Sequence, residues 1–104
     1  MAKKRRGQKK PRRLSSIYVV VDYPQEGEVL IGPDYTIRIG ASEKGSTEVS
    51  IDGGEWKKCR MAEGFWWYDW KHYPPGPHTI AARLVNEKGR VLRKSSVRNC
   101  TYHP

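Results

Sequence analysis

With 104 residues the chain has room for one domain, with a single core that buries somewhat more than half of the unfolded surface; a second domain is excluded. The net charge of +9 belongs to one end: residues 1–13 hold eight Lys or Arg and no acid, which leaves twelve basic and eleven acidic residues in 14–104. The body is therefore close to neutral, and no apolar run in it approaches the ~20 residues of a membrane-spanning helix.

Residues 1–16 carry Lys3, Lys4, Arg5, Arg6, Lys9, Lys10, Arg12 and Arg13, broken by Gly7 and Pro11, and almost nothing that could be buried. Low hydrophobicity and self-repulsion predict a disordered basic tail. Such a tail aids solubility. It is also suited to phosphates, because each Lys or Arg that neutralises one releases a counterion. It offers no element that reads bases, so the contact expected is with nucleic acid or another polyanion, without sequence specificity. The stretch that follows, Leu14 to Val21, is too short and interrupted for the apolar segment of a signal peptide and lacks a small-residue cleavage site. Read as given, the protein is expected in the cytoplasm. That setting disfavours a disulfide between Cys59 and Cys100 and makes Asn99-Cys100-Thr101 a chance sequon.

The folded domain is expected to span residues 17–104. Ile17 to Tyr23, rich in β-branched and aromatic residues and halted by Pro24, reads as a first strand. A turn-bounded link, Gly27 to Pro33, holds a short apolar step at Val29-Leu30-Ile31. Tyr35 to Ala41 alternates, which places Tyr35, Ile37, Ile39 and Ala41 inward and Thr36 and Arg38 outward. Thr47 to Asp52 alternates as well, with Thr47, Val49 and Ile51 on one face. It runs into Gly53-Gly54, expected as the two-residue turn of a hairpin whose second strand is Glu55 to Met61.

The next strand, expected at Phe65 to Lys71 after Gly64, packs five aromatic rings into the six residues Phe65-Trp66-Trp67-Tyr68-Asp69-Trp70. Successive side chains on a strand point to opposite faces, so Phe65, Trp67 and Asp69 share one side and Trp66, Tyr68 and Trp70 the other. The inward residues elsewhere are small or medium, and large rings are needed to fill the core. Phe65 and Trp67 are expected to supply them, leaving Trp66, Tyr68 and Trp70 as a partly exposed aromatic contact able to stack on sugars or bases or to anchor a protein. Pro74-Pro75-Gly76-Pro77 is a loop. His78 to Val85 follows as a strand with Ile80, Ala82 and Leu84 inward, and Asn86 to Gly89 turns the chain into Val91 to Tyr102, one long strand or two separated near Ser95-Ser96. About seven short strands with turn signals every 8–12 residues predict an all-β antiparallel sandwich.

Catalytic chemistry finds little support. Cys59, His72, His78, Cys100, His103 and Asp69 fall in no nucleophile motif or paired-carboxylate spacing. No Cys-x-x-Cys or closely spaced His pair suggests zinc, so no cofactor or metal is expected.

Three features resemble an immunoglobulin-like domain of the bacterial early-set kind, like those appended to bacterial enzymes and surface proteins. Glu48-Val49-Ser50-Ile51-Asp52-Gly53-Gly54-Glu55-Trp56 is similar to the V-x-V-x-D-G-G-x-W hairpin of such domains. Pro75-Gly76-Pro77-His78-Thr79-Ile80-Ala81-Ala82-Arg83 is similar to their G-x-H-T-I-x-x-R penultimate strand, and Asn86-Glu87-Lys88-Gly89 matches the turn after it. The resemblance covers roughly residues 17–102 and implies an immunoglobulin-like β-sandwich that supports, spaces or dimerises other domains, or binds glycans and proteins. The usual inter-sheet cysteine pair is not recognisable. The expected function is thus a non-catalytic binding module, its tail on nucleic acid or another polyanion and its aromatic strand on a further partner. The alternatives are a carbohydrate-binding or cell-envelope adhesion module, or a protein–protein or dimerisation domain.

Overall fold

The computed structural model describes residues 17–42 and 45–104; the expected tail, residues 1–16, lies outside them. Among the described residues ten strands form, in chain order β1 Val19–Tyr23, β2 Glu28–Leu30, β3 Asp34–Ala41, β4 Ser46–Ile51, β5 Lys57–Lys58, β6 Arg60–Ala62, β7 Phe65–Lys71, β8 Gly76–Val85, β9 Val91–Lys94 and β10 Arg98–Tyr102. They pair into two sheets. The smaller runs β1-β3-β7-β6 and the larger β2-β10-β8-β4-β5, with β9 also on β8. All pairs are antiparallel except β2–β10, which is parallel. This is the all-β sandwich the alternation predicts, with one parallel edge added.

More strands form among the described residues than the expected seven because the expected link holds a short strand, one predicted strand changes sheets midway, and the last segment is broken in two. Between β1 and β2 the crossing is made at Gln25 to Gly27, where Gly27 N donates to Asn99 O at 2.8 Å and starts the parallel edge. Within Glu55 to Met61 it is made at Cys59: β5 pairs with β4, β6 pairs with β7, and Cys59 N still donates to Thr47 O at 3.1 Å. The hairpin turn is also displaced by one residue from its expected place. Asp52 and Gly53 take positive φ angles of 55° and 73°, and Gly54 N donates back to Ile51 O at 2.9 Å, the mark of a two-residue turn centred on Asp52-Gly53. Regular pairing resumes only at Val49–Lys57. In the last segment, Ser95 separates β9 from β10 and mends the gap. Its N–H donates to Ala82 O at 2.8 Å, and its Oγ accepts from Ala82 N at 2.9 Å.

The core lies between the sheets. Ile37, Ile39, Val49, Ile80, Ala82 and Leu84 are fully buried, as the period-2 pattern predicts, with Val21, Leu30 and Cys100 beside them. The aromatic strand is placed the other way round from the expectation. Tyr68 lies opposite Ile37 and Trp66 opposite Ile39. Directly paired residues share a face, so Trp66, Tyr68 and Trp70 point inward. Trp70 is only 6% exposed and belongs to the core, and Trp66 and Tyr68 pack against it. Phe65 and Trp67 are on the outer face. The physical reason lies within the strand: Asp69 shares their side, and a carboxylate buried without a partner costs several kcal/mol, more than either ring gains by burial.

Candidate functional surfaces

The outer face of the smaller sheet collects what the register leaves outside. The guanidinium of Arg38, on β3, lies between the rings of Phe65 and Tyr23, with its carbon 4.1 Å and 4.8 Å from the two ring centres. Arg38 Nε is 3.3 Å from Asp22 Oδ2, near enough for the charges to pair yet off the line of a hydrogen bond. Phe65 meets Trp67 edge-on at 6.2 Å, and Trp67 Nε1 donates to Ala62 O at 2.9 Å, fixing the indole across β6. At the far end Arg60 Nη2 pairs with Asp69 Oδ1 at 3.2 Å, while Thr36 Oγ1 donates to the same oxygen at 3.3 Å. These contacts hold the Asp69 carboxyl below its ordinary pKa, chiefly through the Arg60 hydrogen bond. A shallow groove runs beside Trp67, lined by Lys58, Cys59, Arg60, Tyr68 and Asp69. Tyr23 is 40% exposed and forms the wet end of the row.

The outer face of the larger sheet holds one similar stack. Arg83 Nε donates to Glu48 Oε1 at 2.7 Å, and its guanidinium lies 4.3 Å from the Trp56 ring centre. Trp56 is therefore a cover for an ion pair on the outside of β4 and β8. Cys59 and Cys100 are free thiols. Burial raises both, and Cys100 reaches about 11, so neither is a ready nucleophile.

Sequence reasoning missed the structural role of a buried histidine. His78 sits at the bottom of the sandwich on β8, 4% exposed, against Trp70 at 5.1 Å and Tyr73 at 5.8 Å. Tyr73 is itself buried: it stacks on Trp70 at 4.0 Å and donates its hydroxyl to Gly32 O at 2.6 Å. His78 Nε2 is 2.7 Å from Pro74 O and Nδ1 is 2.7 Å from Asp52 Oδ2. A carbonyl and a carboxylate both accept, so the two contacts are satisfied together when both ring nitrogens donate, that is, when His78 is the imidazolium. Asp52 also accepts from Thr79 N through Oδ1 at 2.9 Å. The triplet ties the β4–β5 turn to the Pro74-Pro75 loop. Its sequence signal is the positive-φ Asp52 of the turn together with a histidine whose strand neighbours are apolar.

Of the predicted cationic site, Lys3, Lys4, Arg5, Arg6, Lys9, Lys10, Arg12 and Arg13 lie outside the described residues. Arg38, Arg83 and Arg93 do not form one basic face: the first two are stacked on opposite sheets, and Arg93 Nε donates to Ile17 O at 3.3 Å. Arg98 Nη2 donates to Val21 O at 2.8 Å, so two arginines close the open edge of β1. Among the described residues no cluster of three His, Cys, Asp or Glu could hold a metal ion, and no helix is long and apolar enough to cross a membrane.

The chain matches no family model and no curated protein sequence. Among solved structures it is similar to the fibronectin(III)-like modules of Clostridium thermocellum CbhA, at TM-score 0.67 and 20% identity over 82% of this chain and 95% of that one. The fold is an immunoglobulin-like β-sandwich. An engineered protein is similar too, at TM-score 0.65 and 17% identity over 85% of this chain and 20% of its own length, so the present chain spans a fifth of that protein. At these identities the likeness carries the architecture and no activity.

Proposed function

We propose that the protein is a non-catalytic binding module that holds a nucleic acid through its Lys/Arg tail, with the sandwich as a rigid body behind it. The observation that carries this reading is the separation of charge: eight cations without an acid in residues 1–13, followed by a body of twelve basic and eleven acidic residues. A sandwich in which His78 and Asp69 are taken up by structural contacts and both thiols by burial supports the non-catalytic part. His78 is held on both nitrogens, and both thiols are raised by burial. The test replaces the eight tail cations by Gln in the full chain and follows fluorescence anisotropy of a labelled 20-mer DNA from 50 to 300 mM NaCl. The unmodified chain should bind with an affinity that falls linearly in log–log form, and the variant should not bind. Equal binding by the two proteins overturns the reading.

A second reading is favoured by the row Tyr23, Arg38, Phe65 and Trp67, which leaves aromatic edges on an open sheet face. Such a face suits a glycan or a protein partner, the role expected earlier for Trp66, Tyr68 and Trp70. Glycan-array binding that disappears in Trp67→Ala with the fold retained would favour it over the first.

A further inference from the structure

The body is neutral only on average. Its last acid is Glu87; residues 88–104 hold Lys88, Arg90, Arg93, Lys94 and Arg98 against no carboxylate side chain, whereas residues 14–87 hold seven basic and eleven acidic residues. The five late cations occupy the β8–β9 turn, β9 and the start of β10. Lys88, Arg90, Arg93 and Lys94 are exposed, and no carboxylate lies within 4 Å of them among the described residues. Lys94 stands opposite Arg83, whose own charge is taken up by Glu48, so nothing on the neighbouring strand neutralises Lys94.

The same strand receives the N-terminal end of the body. Arg93 donates to Ile17 O and Arg98 to Val21 O, which lays residues 17–21 alongside β9 and β10. Ile17, the first described residue after the tail, is therefore held beside the acid-free strand, 76 residues from Arg93 in sequence.

We propose that Lys88, Arg90 and Lys94 form a folded extension of the tail's phosphate-binding surface, so that one nucleic acid strand is held by the tail and by the edge of the larger sheet at once. This rests on the reading of the tail given above. Residues 88–94 reach at most about 20 Å along an extended chain, which matches about six phosphates of a strand at 3.4 Å each. The contact is with the backbone, since side chains projecting from a sheet edge and a turn meet phosphates without entering a groove. Lysines on a sheet edge also deter pairing between two copies, but that role has no bearing on how nucleic acid binding depends on salt.

The experiment compares the full chain with the full-chain triple variant K88Q, R90Q, K94Q. Arg93 is kept because it holds Ile17. The backbone bonds of the turn, Lys88 N and Arg90 N to Asn86 Oδ1 at 2.8 and 2.9 Å, do not involve the replaced side chains. Each is titrated into fluorescein-labelled dT20, a 20-base-pair duplex and heparin between 50 and 300 mM NaCl. Three lost phosphate contacts should lower the slope of log K against log salt by about 2 on the single strand and nearly 3 on the duplex, with the thermal midpoint unchanged. A variant with the slope and affinity of the unmodified chain overturns the extension while leaving the tail reading intact. An unmodified chain that binds neither nucleic acid overturns both, and binding to heparin alone overturns the choice of partner.

Discussion

The His78 triplet makes the sandwich sensitive to pH in a direction the geometry fixes. Burial by itself lowers the imidazole pKa; the Asp52 hydrogen bond, the Pro74 carbonyl and the Asp52 charge act against it, and the balance lies above the ordinary value of 6.5. Cys100, paired with His78 across the strands, stays a neutral thiol to about 11, and Tyr73 is raised as well, so neither titrates between pH 6 and 9. An unfolded chain releases this proton near 6.5 and the folded chain holds it to higher pH. The triplet therefore stabilises in full below about pH 6.5, and its contribution is lost as pH rises through the folded value, with a slope of at most about 1.4 kcal/mol per pH unit for one proton.

Two substitutions isolate the effect. Asp52→Ala leaves Nδ1–H without its acceptor and deprives Thr79 N of its own; a hydrogen bond to a charged group contributes about 1.5–3 kcal/mol. The Asp52 side chain is 48% exposed and water replaces part of the loss, which puts the expected cost near 2 kcal/mol at pH 6. Asp52→Asn instead keeps the shape, because its amide can donate to a neutral Nδ1 while Nε2–H still donates to Pro74 O. Its stability should be nearly flat between pH 6 and 9. Urea unfolding at half-unit pH steps gives both curves, and a nitrogen-detected NMR titration of the imidazole gives the charge directly. Parallel wild-type and Asp52→Asn curves over that window, or a neutral ring at pH 6, would refute the reasoning.

The reversal of the aromatic strand is checked by a pair of truncations. Trp70→Ala should cost about 3–5 kcal/mol, as expected for removing a buried indole, whereas Trp67→Ala should cost about 1–2, since it empties no core space; equal losses in urea unfolding would mean that the faces are misassigned. Gly45→Ala tests the approach of the β3–β4 connection to the turn after β8. Gly45 has a φ of 126°, and a Cβ there would collide with the Val85 carbonyl oxygen, so a loss of at least about 2 kcal/mol is expected and an unchanged unfolding midpoint would contradict the geometry.

The fold was largely legible because alternation survives in the strands with one wet face. Tyr35 to Ala41, Thr47 to Ile51 and His78 to Val85 each reveal their inward side without reference to a neighbour. What sequence pattern does not contain is which sheet a short segment joins. Glu55 to Met61 reads as one strand because its residues are uniformly acceptable in one; only the pairing of Lys57-Lys58 with β4 and of Arg60–Ala62 with β7 divides it at Cys59. The same lack of register hid the approach of the N-terminal end of the body to the late cations, since the proximity of residue 17 to residue 93 depends on a hydrogen bond 76 residues long in sequence.

The aromatic strand differs from these cases, because its answer was present in the residues. Ring size alone could not decide between Phe65 with Trp67 and Trp66 with Trp70, as either set fills a core. Asp69 breaks the tie: to bury Phe65 and Trp67 is to bury a carboxylate, and the compensating partner would have to be an arginine reaching into the same layer. Arg38 and Arg60 do reach Phe65 and Asp69, but from the same outer face, where water shares the stabilisation. Charge placement within the strand, rather than the number of rings on each side, determines which face is wet. By the same logic the outer row Tyr23, Arg38, Phe65 and Trp67 is part of the fold before it is anything else, since Arg38 brings a charge to that face and the rings beside it shield its stem.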